Sequence, residues 1–292
     1  VDALGVAADW PVDHAAAGVR TAAGPGGPAR SATSGDPHRP FPLASVTKLL
    51  TATAALVAVE EETVDLDEPA GPPGSTVRHL LAHASGLAPD ADDVLAPPGT
   101  RRIYSNRGFE VLADLVAARS GLPFATYLTD AVLAPLAMGA TRLDGSPAHG
   151  AVSTVDDLLR FVGVWLDEDP RVLAPATRDA AARVAFPGIE GVLPGYGVQR
   201  PNDWGLGPEI RDGKRPHWTA TRGSSRTFGH FGRAGTFAWV DPDAGVAGVA
   251  LTDREFGPWA AEAWPAWSDA VLEEIRGGDV NSPAGVPTEG GP

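Results

Sequence analysis

Ser45-Val46-Thr47-Lys48 places a hydroxyl and an amine three residues apart. On a helix, positions i and i+3 share a face, so the amine comes within hydrogen-bond reach of the hydroxyl. An amine in a poorly solvated pocket can be neutral at neutral pH and then accept the serine proton. A guanidinium does not deprotonate and cannot replace it. That difference matters in a chain whose 23 basic residues include only two lysines, Lys48 and Lys214. The tetrapeptide is short enough to arise by chance, so alone it is weak. Tyr104-Ser105-Asn106 is the second piece. A Tyr hydroxyl near Ser and Lys can shuttle a proton to a leaving group, and an Asn can hold a carbonyl or amide. The alternative is a half-buried aromatic with its hydroxyl satisfied. The third piece is His230-Phe231-Gly232. A strand there could lend a backbone N–H to an oxyanion hole, with Gly permitting close approach. Otherwise it is a strand histidine beside a glycine bulge.

The elements that must position these residues follow from periodicity. The segment 45–61 is apolar nearly all round and rich in Ala and Leu, which predicts a buried helix starting near Ser45. Helical spacing recurs at 77–84, 106–119, 124–133, 154–166 and 175–184, with Gly/Pro loops between. The segment 15–34 reads as two strands around the loop Gly24-Pro25-Gly26-Gly27-Pro28. From Trp204 strands return, with Asp241-Pro242-Asp243-Ala244-Gly245 as a hairpin connection inside 227–252. A last amphipathic helix is expected at 257–275 and a loose tail at 277–292. The expected fold is α+β: an antiparallel sheet built from both chain ends, flanked by helices, with an inserted, mostly helical region. The corresponding subdomains are 1–50 with 200–276, and 51–199.

Composition narrows the field. A length of 292 residues fits one large domain or two intertwined ones. A net charge of −14 argues against a nucleic-acid partner. With no cysteine there is no disulfide, thiolate zinc site, iron–sulfur cluster or Cys nucleophile. No apolar run reaches the roughly 18 residues of a membrane span. The first 19 residues lack a cationic start, an h-region and a cleavage site, so a cytoplasmic location is the expectation. His79 and His83 have i, i+4 spacing, but the Glu of H-E-x-x-H is missing, so no metal is assigned. G-x-S-x-G does not occur. Asp65, Asp67 and Glu68 read as a solvated loop, Trp259, Trp264 and Trp267 as helix-to-sheet packing, and Lys214 as exposed in a polar turn.

In this order, S-V-T-K, Y-S-N and H-F-G resemble the three motifs of serine β-lactamase-fold hydrolases: class C β-lactamases, β-lactamase-like esterases and penicillin-binding-protein relatives. Further text is similar to the family: L-L-A-H-A-S-G-L at 80–87, Pro98-Gly99-Thr100, Ala134-Pro135-Leu136-Ala137-Met138, Val152-Ser153-Thr154 with Asp157, and the run ending T-F-A-W-V-D-P at 236–242. The resemblance runs from about Phe41 to Arg254. It implies Ser45 as acyl-forming nucleophile, Lys48 and Tyr104 as proton-transfer partners, and Asn106 at the substrate amide or ester. It further implies that His230, Phe231 and Gly232 line the site, and that the backbone N–H groups of Ser45 and Arg233 form the oxyanion hole. No cofactor or metal is implied. H-F-G stands where the family has K-T-G, so a fixed ammonium for a substrate carboxylate is missing, although Arg233 could restore a cation. This favours a small-molecule ester or simple amide over a β-lactam or D-alanyl peptide. A β-lactamase, a D-amino-acid-specific peptidase, an acyltransferase and a non-catalytic binding or sensor domain stay open, as does the oligomeric state.

Overall fold

The computed structural model describes residues 3–24, 28–166 and 170–278. Eleven strands occur among them: β1 (Ala15–Thr21), β2 (Arg30–Ser34), β3 (Phe41–Pro42), β4 (Arg142–Leu143), β5 (Ala151–Ser153), β6 (Gly191–Leu193), β7 (Gly197–Gln199), β8 (Glu209–Ile210), β9 (Phe228–Gly232), β10 (Thr236–Asp241) and β11 (Val246–Thr252). The main sheet is antiparallel, in the order β2-β1-β11-β10-β9-β8. Its first two strands come from the N-terminal part of the chain and its last four from the C-terminal part, as expected. The proposed 241–245 connection joins β10 to β11. Much of the 24–28 loop, and the tail beyond residue 278, lie outside the described residues.

Side chains alternate across the strands with a period of two. Phe237, Trp239, Ala17 and Ala250 face one way, into a cluster with Trp264, Trp267, Val271 and Leu272 of helix α7 (Pro258–Gly278). Of the three tryptophans expected to pack helix on sheet, Trp264 and Trp267 do so and are completely buried, whereas Trp259 is half-buried against Trp10 and Trp264. Ala16, Ala238, Val240 and Val249 face the other way, toward α1 (Thr47–Glu60) and α5 (Val155–Leu166). Helix α5 lies close because Gly18 carries no side chain: a Cβ there would sit 2.7 Å from Leu159.

Helix α1 runs through the middle of the molecule. Its residues from Thr47 to Ala58 are all buried, which explains the absence of a polar face. Against it pack α3 (Asn106–Ser120) and α4 (Phe124–Leu128); α2 (Val77–Leu81) packs on α3, and α6 (Pro175–Ala181) follows later in the chain. Three expected helices are modified. The helix expected at 77–84 stops at Leu81, because His83 adopts a left-handed backbone with φ 54°. The segment 124–133 divides into α4 and a π turn at Thr129–Leu133, where the Thr129 hydroxyl donates back to the Ala125 carbonyl at 2.8 Å. α6 stops at Ala181 rather than continuing to 184.

Candidate active site

Ser45 lies in a 3-10 turn, Ala44–Val46, that leads directly into α1. Ala44 before it is left-handed, with φ 45°, a conformation that costs a residue with a Cβ about 1–3 kcal/mol. The turn half-exposes Ser45 at the wall of a cavity of about 440 Å3. One helical turn further on, Lys48 is fully buried. Its Nζ donates to Asn106 Oδ1 at 2.6 Å and to the Ala148 carbonyl at 3.0 Å, and lies 3.4 Å from Ser45 Oγ. The ammonium sits over the Tyr104 ring, 4.6 Å from its centroid. Burial lowers the Lys48 pKa from 10.5 to about 7, against the opposing pull of the Asp90 and Glu110 carboxylates.

The Ala148 carbonyl is held in place by α1 itself. Thr51 Oγ1 donates to the Pro147 carbonyl at 2.6 Å, and the Ala151 N–H donates to Thr47 Oγ1 at 3.1 Å. The threonines in T-K-L-L-T therefore bind the segment that supplies one of the lysine's acceptors. A neutral amine has two N–H bonds and one lone pair. In that form, with its two hydrogens on Asn106 Oδ1 and Ala148 O, the lone pair is available to Ser45, whereas the ammonium donates its third hydrogen to Ser45 Oγ.

Tyr104 precedes Ser105, which caps α3 by accepting the Gly108 N–H at 3.0 Å. The Tyr104 hydroxyl interacts with that of Ser45 and lies 3.5 Å from His230 Nε2. Burial pushes the phenol well above its ordinary pKa, so it remains an O–H donor at neutral pH. His230, on β9, is also buried. Its Nδ1 contacts the Phe231 carbonyl at 2.7 Å, which assigns the proton to Nδ1 and leaves Nε2 as an acceptor toward Tyr104. Burial and the nearby Lys48 charge lower its pKa to about 3, so His230 is a neutral imidazole and not a cation. Gly232 ends β9 against the Ser45 turn: a Cβ there would meet the Leu43 carbonyl at 2.4 Å. Phe231 points toward the α7 side, 4.9 Å from Phe256, and lines the cavity. Arg233 stands at the mouth, 83 % exposed and 3.5 Å from Glu255. The residues singled out in the sequence thus come together around one cavity.

Asn106 is engaged on both sides. Its oxygen receives Lys48, and its Nδ2 donates to Asp90 at 2.7 Å. Several contributors carried no local signal: Asp90, Trp204, Glu209, Phe256 and the Leu193-Pro194-Gly195 turn between β6 and β7 all line the cavity. His83 lay within a quoted motif, yet its role is visible only in three dimensions. Its Nδ1 accepts the Ser105 N–H at 3.1 Å, and its ring packs 4.6 Å from Tyr104. His79 instead closes the α2 cap with Thr76. Neither imidazole shares a helix face with the other.

Lys214 requires a correction. Expected to be exposed, it is 4 % exposed and donates to Glu209 Oε1, to the Ile210 carbonyl and, at 2.7 Å, to the Asp203 carbonyl. Polar neighbours in sequence suggested a solvated turn, but those neighbours close over a buried ion pair. Glu209 also receives His217 Nε2 at 2.8 Å and Trp218 Nε1 at 2.9 Å. Burial alone would raise the Glu209 carboxyl, but His217 and Lys214 beside it hold it down at about 2.

A half-buried serine opening a wholly buried helix, faced by a strand of an antiparallel sheet built from both chain ends, defines the serine β-lactamase-like fold. The Beta-lactamase family model matches residues 11–272, and the chain belongs to that family. A crystal structure of a β-lactamase from Mycobacterium bovis is 59 % identical, with a TM-score of 0.89, covering 94 % of this chain and 99 % of that one. Unliganded simvastatin synthase from Aspergillus terreus has the same fold at 19 % identity, with a TM-score of 0.75 over 94 % of this chain and 99 % of that one. AmpH of Escherichia coli K12, a D-alanyl-D-alanine-carboxypeptidase/endopeptidase, is 27 % identical over 188 residues, 44 % of this chain and 49 % of AmpH. The chain thus spans about half the length of that curated relative. Among the described residues no helix is long and apolar enough to cross a membrane.

Proposed function

We propose that the protein is a serine hydrolase that works through an acyl-enzyme on Ser45, on a small uncharged ester or amide. The observation that carries this reading is the Lys48 amine, buried, bonded to Asn106 Oδ1 and the Ala148 carbonyl, and 3.4 Å from Ser45 Oγ. Lys48 takes the Ser45 proton as Oγ attacks the substrate carbonyl. The backbone N–H groups of Ser45 and Arg233 receive the oxyanion. The proton on Lys48 then passes to the departing oxygen or nitrogen, with the Tyr104 hydroxyl as relay. Water next attacks the acyl-enzyme, giving up its proton by the same route in reverse, and Ser45 is regenerated with the free acid released.

Preference for an uncharged substrate rests on the third motif. His230 brings no positive charge to the site, and Arg233, the one cationic side chain lining the cavity among the described residues, is shared with Glu255 at the solvent edge. Leu193, Pro194, Trp204, Phe231 and Phe256 give the cavity an apolar wall suited to an acyl chain. A second reading, β-lactam hydrolysis, is favoured by the 59 % identity to a protein described as a β-lactamase. A panel of short-chain nitrophenyl esters, nitrocefin and D-alanyl peptides separates the two. Ester turnover well above nitrocefin and peptide turnover is expected. Nitrocefin as the best substrate would overturn the ester preference, and slow acylation without turnover would indicate a sensor.

A further inference from the structure

Asp90 lies in the loop between α2 and α3, and the acyl-enzyme reading gives it no role. The loop is fixed to the start of α3. The Pro89 carbonyl accepts the N–H groups of Asn106 at 2.7 Å and Arg107 at 3.0 Å, and the Ala88 carbonyl accepts the Ser105 hydroxyl at 2.7 Å. Asp90 Oδ1 is thereby brought to Asn106 Nδ2 at 2.7 Å, while Asn106 Oδ1 meets Lys48 Nζ at 2.6 Å. The result is a continuous chain from Asp90 through Asn106 and Lys48 to Ser45.

An amide can be turned either way about its last torsion, and its neighbours decide which way it stands. With Asp90 present only one orientation is tolerated. Reversed, the amide would present its NH2 to the Lys48 amine and its oxygen to a carboxylate, losing both hydrogen bonds and opposing like partial charges. Without Asp90 the orientation of the Asn106 amide rests on the Lys48 bond alone, and the turned form becomes accessible. A turned Asn106 offers no acceptor to Lys48, so the amine can direct an N–H, rather than its lone pair, at Ser45.

We propose that Asp90 is a positioning residue for the reaction: it fixes the orientation of the Asn106 amide and so aims the Lys48 lone pair at Ser45. The inference rests on the acyl-enzyme reading of Ser45 and Lys48. It also has an electrostatic consequence, because the Asp90 charge supports the ammonium form of Lys48. The other titratable groups near that amine are Glu110 of α3, Tyr104, whose ring lies beneath it, and the imidazoles of His83 and His230, both held below their ordinary values by burial. Removing the Asp90 charge leaves Glu110 as the remaining carboxylate on that list and lowers the proton affinity of Lys48.

The test compares Asp90→Ala, Asp90→Asn and the loop control Asp92→Asn with the parent. Asp92 bonds Arg107 instead of Asn106. For each protein, kcat and KM on a nitrophenyl ester are measured from pH 5 to 9, with thermal unfolding alongside. Asp90→Ala is expected to lower kcat roughly ten- to a hundredfold with little change in KM. Asp90→Asn keeps an acceptor for Asn106 and is expected to recover most of kcat, with the acid limb displaced to lower pH. Asp92→Asn is expected to match the parent, and all three variants to unfold with it. Parent-like kcat and pH profile in both Asp90 variants overturns the proposal. So does a loss confined to KM, which would make Asp90 a substrate contact, or an equal displacement in Asp92→Asn. A parent that neither turns over ester nor acquires an acyl group on Ser45 overturns the underlying reading instead, and with it the role assigned to Asp90.

Discussion

At the scale of single residues the site is a set of side chains whose charge states are set by burial. Lys48 loses the competition between desolvation and two carboxylates, and its pKa comes to about 7. Acylation that needs the neutral amine should therefore fall about tenfold per pH unit below about 7, as a pH profile of kcat/KM would show. Lys48→Arg retains the charge but supplies no base, and is expected to abolish acylation in an intact-mass assay. Tyr104→Phe retains the ring beneath Lys48 and removes only the relay hydroxyl. A fall in kcat of about a hundred- to ten-thousandfold is expected from steady-state kinetics, with unchanged unfolding. Ser45, Lys48 and Tyr104 were singled out in sequence by the order of three motifs resembling a known family, since S-x-x-K alone is weak, and the structure brings them to one cavity. Asp90 and Glu209 were not, because each gains its meaning from a partner brought near by folding, and nothing in A-P-D-A or G-P-E-I announces it.

At the scale of elements, what matters is how closely the Ser45 turn and β9 approach. Gly232 allows it, since a side chain there would collide with the Leu43 carbonyl, Thr236 Oγ1 and Ala44. Gly232→Ala is expected to cost about 1–3 kcal/mol in denaturant unfolding, and to reduce kcat more than KM by separating β9 from Ser45. Helix α1 was read from an unbroken Ala- and Leu-rich apolar run, and the C-terminal strands from alternation and turn residues within 227–252. The helix expected at 77–84 was overextended for a tertiary reason. His83 breaks it to seat its ring against Tyr104 and Nδ1 at the Ser105 N–H, and hydrophobic spacing carries no record of that.

At the scale of the whole molecule, two apolar clusters flank the main sheet, and the buried Glu209 ion pair stands beside the cavity. Its misassignment as an exposed turn shows where composition misleads: Arg211-Asp212-Gly213-Lys214-Arg215 is polar, yet Lys214 meets its acceptors inside. Lys214→Met leaves the Glu209 charge buried without its lysine, and about 3–5 kcal/mol of stability should be lost in chemical denaturation. The Glu209 carboxyl is held at about 2 against an ordinary 4.5. Its contribution is therefore complete above about pH 4.5 and is lost as pH falls toward 2, so acid unfolding within that window should be weakened in Glu209→Gln.

The central claim is that Ser45 forms an acyl-enzyme with Lys48 as its base. The most direct measurement is intact-mass spectrometry of protein quenched during turnover of a nitrophenyl ester, with the adduct located by peptide mapping. One acyl group is expected on Ser45, declining below about pH 7 and absent from Ser45→Ala and Lys48→Arg. An unmodified native protein, an adduct on another residue, or full acylation of Lys48→Arg would contradict it.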